Sequence, residues 1–223
     1  MRKACPNRPA PRGWPRTLQR REAPVNDLTL PASPAPRPDE ANSARRAQIL
    51  EIAARLFALK GYKGTSMRDI GEAAGVLGGS LYHHIKSKDA LFVELHNHAL
   101  SSAEARIIAA LAPHTDPWDR LEAAIAEMLE IQLDPESLTT PLMNDLRAVP
   151  EPVRAQLVER RDRFEDQFRA LIAALPLPEG FDRAIYRIAL LKMLNSATDW
   201  FRPGGLSRRE LARQMFLIFR HQA

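Results

Sequence analysis

From Ser43 onward, apolar residues recur three and four positions apart, in runs opened by a capping side chain or a proline and closed by glycine or proline. No feature constrains the fold more. Ile49, Leu50, Ala53, Leu56 and Phe57 mark a first helix that Gly61 stops. Ser66, with Asp69 at the third helical position, opens a second helix that Gly75 ends. A third runs from Gly78 to about His84, and Ser87 caps a long fourth through Leu111. Asp116-Pro117 and Asp134-Pro135 each set a capping carboxylate before a proline at the first helical position, opening helices five and six. Pro150 and Pro152 precede a seventh, residues 181 to 202 form an eighth, and Ser207 with Glu210 makes a capping box for the last. Nowhere does a convincing strand pattern appear, so the expected fold is all-α with about nine helices.

Nine of the eighteen prolines precede residue 39, mixed with arginines. Such a segment buries too little surface to repay ordering, so residues 1–42 are expected to be a disordered arm, solvated or in loose contact with phosphates. Residues 1–43 carry a net +4, residues 44–100 a net +3 and the remainder a net −2. A basic front and a mildly acidic back suit a chain whose first part meets a polyanion. Cys5 has no partner for an internal disulfide, and no apolar run is long enough to span a bilayer. A cytoplasmic protein with no membrane contact is expected.

The stretch GVLGGSLYHHIKSKDAL, residues 75–91, invites three readings. A phosphate loop would need Lys-Ser/Thr after its last glycine, or a preceding strand, and neither is there. A metal site would need ligands three or four residues apart on one helix face, a spacing the histidines lack. No nucleophile elbow is present, so neither a catalytic residue, nor a metal, nor a cofactor is expected. What remains is helix, turn, helix. In such a unit the second helix enters the major groove, which points to Ser80, Tyr82 and His83 as base-facing residues. Gly78 and Gly79 would let the backbone approach the duplex. Geometry alone leaves a plain corner of two packed helices equally open.

The stretch RRAQILEIAARLFALKGYKGTSMRDIGEAAGVLGGSLYHHIKSKDALF resembles the N-terminal domain of the TetR family of bacterial transcriptional regulators. That resemblance implies a three-helix DNA-binding domain over residues 43–90. It implies phosphate contacts from Thr65, Ser66 and Lys88, backbone orientation by Tyr82 and His84, and sequence preference carried by Ser80, His83 and Arg68. Arg46, at the head of the matching stretch, joins the DNA-binding set. Two positions depart from the family pattern: Leu77 stands where Ser or Thr often caps the recognition helix, and Ile85 where an aromatic is usual.

The resemblance further implies that residues 91–223 bind a small inducer and form a homodimer on a double-stranded operator. The helices at 181–202 and 208–222 are apolar on more than one face, which points to a partner surface made by Ile188, Leu191, Trp200, Leu211, Met215 and Phe219. Trp118, Met128, Met143, Phe164, Phe168 and Met193 are the candidate pocket walls. Arg160, with Arg154, Arg161, Arg163 and Arg187, is a candidate for an anionic ligand group. The ending TDWFRPGGLSRRELARQMF resembles family members linked to acyl-CoA and lipid catabolism, which implies an acyl-CoA thioester as inducer.

Overall fold

The computed structural model describes residues 38–76, 78–137, 146 and 148–220. Those residues contain helices and connecting turns and no strand. They are α1 (Pro38–Gly64), α2 (Met67–Ala74), α3 (Gly78–His84), α4 (Lys88–Leu111), α5 (Pro117–Gln132), α6 (Glu151–Ala173), α7 (Arg183–Asn195), α8 (Ala197–Trp200) and α9 (Arg208–Phe219).

The capping residues act where the sequence sets them. Ser66 Oγ accepts from the Asp69 amide at 3.1 Å while the Asp69 carboxylate accepts from the Ser66 amide at 2.8 Å, closing a reciprocal box at the head of α2. Gly75 ends that helix in the left-handed region, with φ 63°. The Ser207–Glu210 pair closes the same kind of box on α9, and Ser87 and Asp116 cap α4 and α5 by accepting from backbone amides.

Three boundaries differ from expectation. Helix α1 begins at Pro38, ahead of Ser43, because proline at a first helical position gives up no hydrogen bond. Asp134 and Pro135 do not open a helix: the Asp134 carboxylate accepts from the Glu136 amide at 3.0 Å and its carbonyl from the Ser137 amide at 3.1 Å, which makes a turn. The expected eighth helix breaks at Ser196 into α7 and α8.

Two apolar cores are stacked along α4. The first joins Ile49, Ala53 and Phe57 of α1 to Ile70, Leu81 and Leu91, and extends to Leu95 and to Val153 and Leu157 of α6. Phe57, Tyr62 and Phe92 form its aromatic centre, with edge-to-face contacts at 5.1 and 5.2 Å between ring centroids. The second gathers Leu100, Ile107, Leu121, Ile125, Phe168, Leu190 and Phe216 from α4, α5, α6, α7 and α9. Helix α4 therefore serves both cores, with Leu91 and Leu95 in the first and Leu100 and Ile107 in the second. Ile85, the departure from the usual aromatic, is buried there as an ordinary core side chain.

Candidate nucleic-acid interface and ligand cavity

The α2–α3 corner depends on a close approach. A Cβ on Gly71 would sit 3.3 Å from the Val76 carbonyl oxygen and 3.6 Å from Leu81 Cδ2, so this glycine lets α3 lie against α2. Leu81 and Ile85 anchor α3 in the first core. Ser80, Tyr82 and His83 project outward, Tyr82 being 58 % exposed, and His84 is half-buried. A Cβ on Gly79 would meet nothing within 4 Å, so no contact among the described residues accounts for glycine there. Gly78 is the first residue of α3. Leu77 lies outside the described residues.

Ser66 and Arg68 are exposed on α2, the latter paired with Glu72 at 2.7 Å. Two other residues expected at phosphates, Thr65 and Lys88, and Arg46 of the expected DNA-binding set make bonds inside the chain. Thr65 is 1 % exposed, and its hydroxyl donates toward the carbonyl oxygens of Gly61 at 2.9 Å and Leu56 at 3.2 Å, satisfying the frayed end of α1. Lys88 donates to the carbonyl oxygens of Tyr62 at 3.1 Å and Thr65 at 3.2 Å, with its ammonium 4.1 Å from the centre of the Tyr62 ring. Arg46 reaches Glu94 at 2.7 Å and so ties α1 to α4. In each case a nearby backbone or carboxylate acceptor has captured the donor. Around the helix-turn-helix, the exposed lysines that form no ion pair among the described residues are Lys60 and Lys63, ahead of α2, and Lys86, just after α3. Their signal in the sequence was only their charge. Arg45 was also missed: its guanidinium donates to the Ala74 carbonyl oxygen at the end of α2.

A cavity of about 370 Å³ opens among α4, α5, α6 and α7. Leu100, Ala103, Met128, Phe164 and Leu191 are its buried apolar walls, and exposed Lys192, Thr198 and Asp199 stand at its mouth. Of the expected wall residues, Met128 and Phe164 line it. Trp118 packs edge-on against Phe216, Phe168 is fully buried core, and Met193 leans on the second core from outside. Arg160 is paired with Glu104 at 2.9 Å and does not line the cavity; its neighbour Arg161 does. Met143 lies outside the described residues. Gln132 and Asn195, both in the wall, are joined at 2.9 Å.

The apolar excess on α7 and α9 divides differently from expectation. Leu191, Leu211 and Met215 are buried in the second core. Phe219 is half-buried with its ring 5.3 Å from that of Tyr186. Ile188 and Trp200 are exposed as expected, and Ile185, Leu217 and Ile218, from the same helices, join them on the surface. Ile185 and Ile188 are 65 % and 50 % exposed.

Known proteins match this arrangement. Residues 49–95 fit the profile of bacterial regulatory proteins of the tetR family, and residues 114–223 that of the tetracyclin repressor-like C-terminal domain. The transcriptional repressor KstR2 of Rhodococcus jostii is 30 % identical over 180 residues, spanning 78 % of this chain and 88 % of that one. The chain belongs to the TetR family of transcriptional regulators. KstR2 of Mycobacterium tuberculosis is 27 % identical over 182 residues, covering 79 % of this chain and 91 % of the relative. Among solved structures, AibR in complex with isovaleryl coenzyme A and operator DNA superposes with a TM-score of 0.69 at 26 % identity, over 78 % of this chain and 97 % of that one. As in other TetR-family regulators, the regular structure among the described residues is all helix, with the helix-turn-helix at residues 67–84. No helix among the described residues is long and apolar enough to cross a membrane.

Proposed function

We propose that this TetR-family chain is a ligand-released repressor that binds a pseudo-palindromic operator as a homodimer. The observation that carries the reading is α3: Ser80, Tyr82 and His83 face outward beside a Gly79 that no contact among the described residues requires. That glycine leaves room for a duplex backbone, and the exposed side chains reach base edges when α3 enters the major groove. Ser66, Lys63 and Lys86 supply the positioning contacts to phosphate. The exposed stripe Ile185, Ile188, Leu217 and Ile218 packs on its symmetry mate and sets the spacing of the two α3 helices.

The inducer occupies the cavity beside α4. Helix α4 runs from the first core to the cavity wall, so a ligand that favours one placement of α4 biases the spacing of the recognition helices. An acyl-CoA thioester is the inducer class that fits the relatives, since AibR binds isovaleryl coenzyme A. Ligand and operator must then weaken each other reciprocally.

A mobility shift on duplex DNA from the region upstream of the gene tests this. We expect specific retardation that weakens steeply with salt, and a loss of about tenfold or more for Tyr82→Ala with the fold intact. Equal binding to unrelated duplexes would overturn the reading.

A further inference from the structure

Five arginines lie along α6: Arg154, Arg160, Arg161, Arg163 and Arg169. Four are matched with carboxylates, Arg154 with Glu151, Arg160 with Glu104, Arg163 with Glu159 and Arg169 with Asp166. Arg161 has no acid partner among the described residues, although it lies in the cavity wall. Its Nε is sealed from solvent and meets no acceptor. Glu165, one turn further along α6, is committed to Arg187 of α7. That Nε is short of an acceptor, an anion or a carbonyl oxygen.

His96 adds a second, independent sign. It lies on α4 four and seven residues before Leu100 and Ala103, hence on the face those two present to the cavity. The imidazole is 0 % exposed; the neighbouring Asn97 side chain is close enough to act on it, but neither nitrogen makes a well-formed hydrogen bond. Arg160 and Arg161 are close enough for their charges to act on it, and burial keeps it neutral, with its pKa lowered to about 4. A neutral imidazole still carries one N–H. Arg161 in the cavity wall and His96, buried close enough to feel its charge, thus place two donors short of acceptors on the cavity side of α6 and α4.

We infer that Arg161 and His96 form a receptor for an acyl oxygen, either the carboxylate of an organic acid or the carbonyl of its thioester. This rests on the cavity being the inducer site proposed above. The surroundings fix the class. With Lys192 out at the mouth beside Asp199, Arg161 is the one cation set among Leu100, Ala103, Met128 and Phe164, which suits a single oxygen-bearing head on an apolar chain better than a phosphate. About 370 Å³ accommodates a modest acyl group, and the mouth at Lys192 and Thr198 leaves the remainder of a thioester outside.

The test is thermal unfolding of the full chain with straight-chain acids from butyrate to dodecanoate and with their coenzyme A thioesters. It is run on the wild type, Arg161→Met, Arg161→Lys and His96→Leu, alongside the operator mobility shift without ligand. We expect members of at least one series to raise the wild-type Tm in a concentration-dependent manner. Arg161→Met should weaken that binding about 10- to 100-fold, Arg161→Lys less, and His96→Leu in the same direction, with ligand-free operator binding unchanged. A larger loss for the acids assigns the site to a carboxylate, and a larger loss for the thioesters assigns it to the carbonyl. Wild-type protein that binds neither series, or Arg161→Met protein that binds as tightly as wild type, would overturn the inference. Wild-type binding to His96→Leu would remove the histidine from the site. Acyl binding that needs Arg161 in a protein that ignores duplex DNA would strike the regulatory reading and leave this site standing.

Discussion

Arg45 of α1 donates from Nη2 to the carbonyl oxygen of Ala74, 2.7 Å away, where α2 ends. The last carbonyls of a helix lack intrahelical donors and carry partial negative charge, so a guanidinium there both completes a hydrogen bond and meets the dipole. This contact braces α2 against α1 and thereby the corner that presents α3. Arg45→Met should cost about 1 kcal/mol, because the site is only half-buried. The check is a urea titration, in which the midpoint falls at constant m-value.

Two glycines in the same corner should respond oppositely to alanine. At Gly71 the new Cβ would press on the Val76 carbonyl oxygen at 3.3 Å, so Gly71→Ala is expected to push α3 away from α2 and to lower both stability and operator affinity. At Gly79 the Cβ meets open space, and alanine in a helix is favoured over glycine by about 0.5–1 kcal/mol. Gly79→Ala should therefore leave the protein as stable or more so while weakening its hold on DNA. Equal operator affinity for Gly79→Ala and wild type would show that the duplex backbone does not approach this position.

The division between what the sequence disclosed and what it hid follows the range of the interactions involved. Ser66 with Asp69, Gly75, Asp116 and Ser207 with Glu210 act on residues within a turn of themselves, so the elements they bound were legible. The internal bonds of Arg46, Thr65 and Lys88 are not legible in the sequence because, apart from Gly61 four residues before Thr65, their acceptors lie 9 to 48 residues away. On α7 and α9 both faces are apolar, and periodicity cannot say which one faces the core. Leu191, Leu211 and Met215 went inside and Ile185, Leu217 and Ile218 outside because α4, α5 and α6 pack against one face only. The cavity was half legible: Met128 and Phe164 line it, but nothing local distinguishes Arg161 from Arg160, whose partner is on another helix.

The exposed apolar stripe carries a prediction about assembly. Ile185 and Ile188 lie one turn apart on α7, Ile218 of α9 borders the same surface hollow as Ile185, and Leu217 is exposed on α9. Covering such a surface with its own copy removes apolar area from water at about 25 cal/mol per Å². A carboxylate placed there would have to be desolvated without a partner. Ile188→Asp should leave a folded monomer by sedimentation velocity, with unchanged helical signal, and should weaken operator binding by removing the second half-site contact. An Ile188→Asp protein that sediments as a dimer would place the self-association surface elsewhere.

The last prediction concerns the cost of keeping His96 where it is. Burial lowers its pKa to about 4, against about 6.5 for an unfolded histidine. Between those values the unfolded chain binds a proton that the folded chain does not, so stability falls as pH drops from about 6.5 toward 4. Above that window this group contributes no slope. The loss amounts to about 3 kcal/mol by pH 4. His96→Leu removes the titration and replaces two unpartnered nitrogens with carbon. It should be more stable than wild type by about 1 kcal/mol at neutral pH, and the margin should widen on acidification. Urea midpoints measured from pH 7.5 to 4.5 on both proteins give the difference directly. Parallel stability curves would mean that His96 gains a proton as easily folded as unfolded. A widening gap would mean that the fold tolerates an unfavourable buried histidine, a cost that an acyl ligand accepting its N–H would offset.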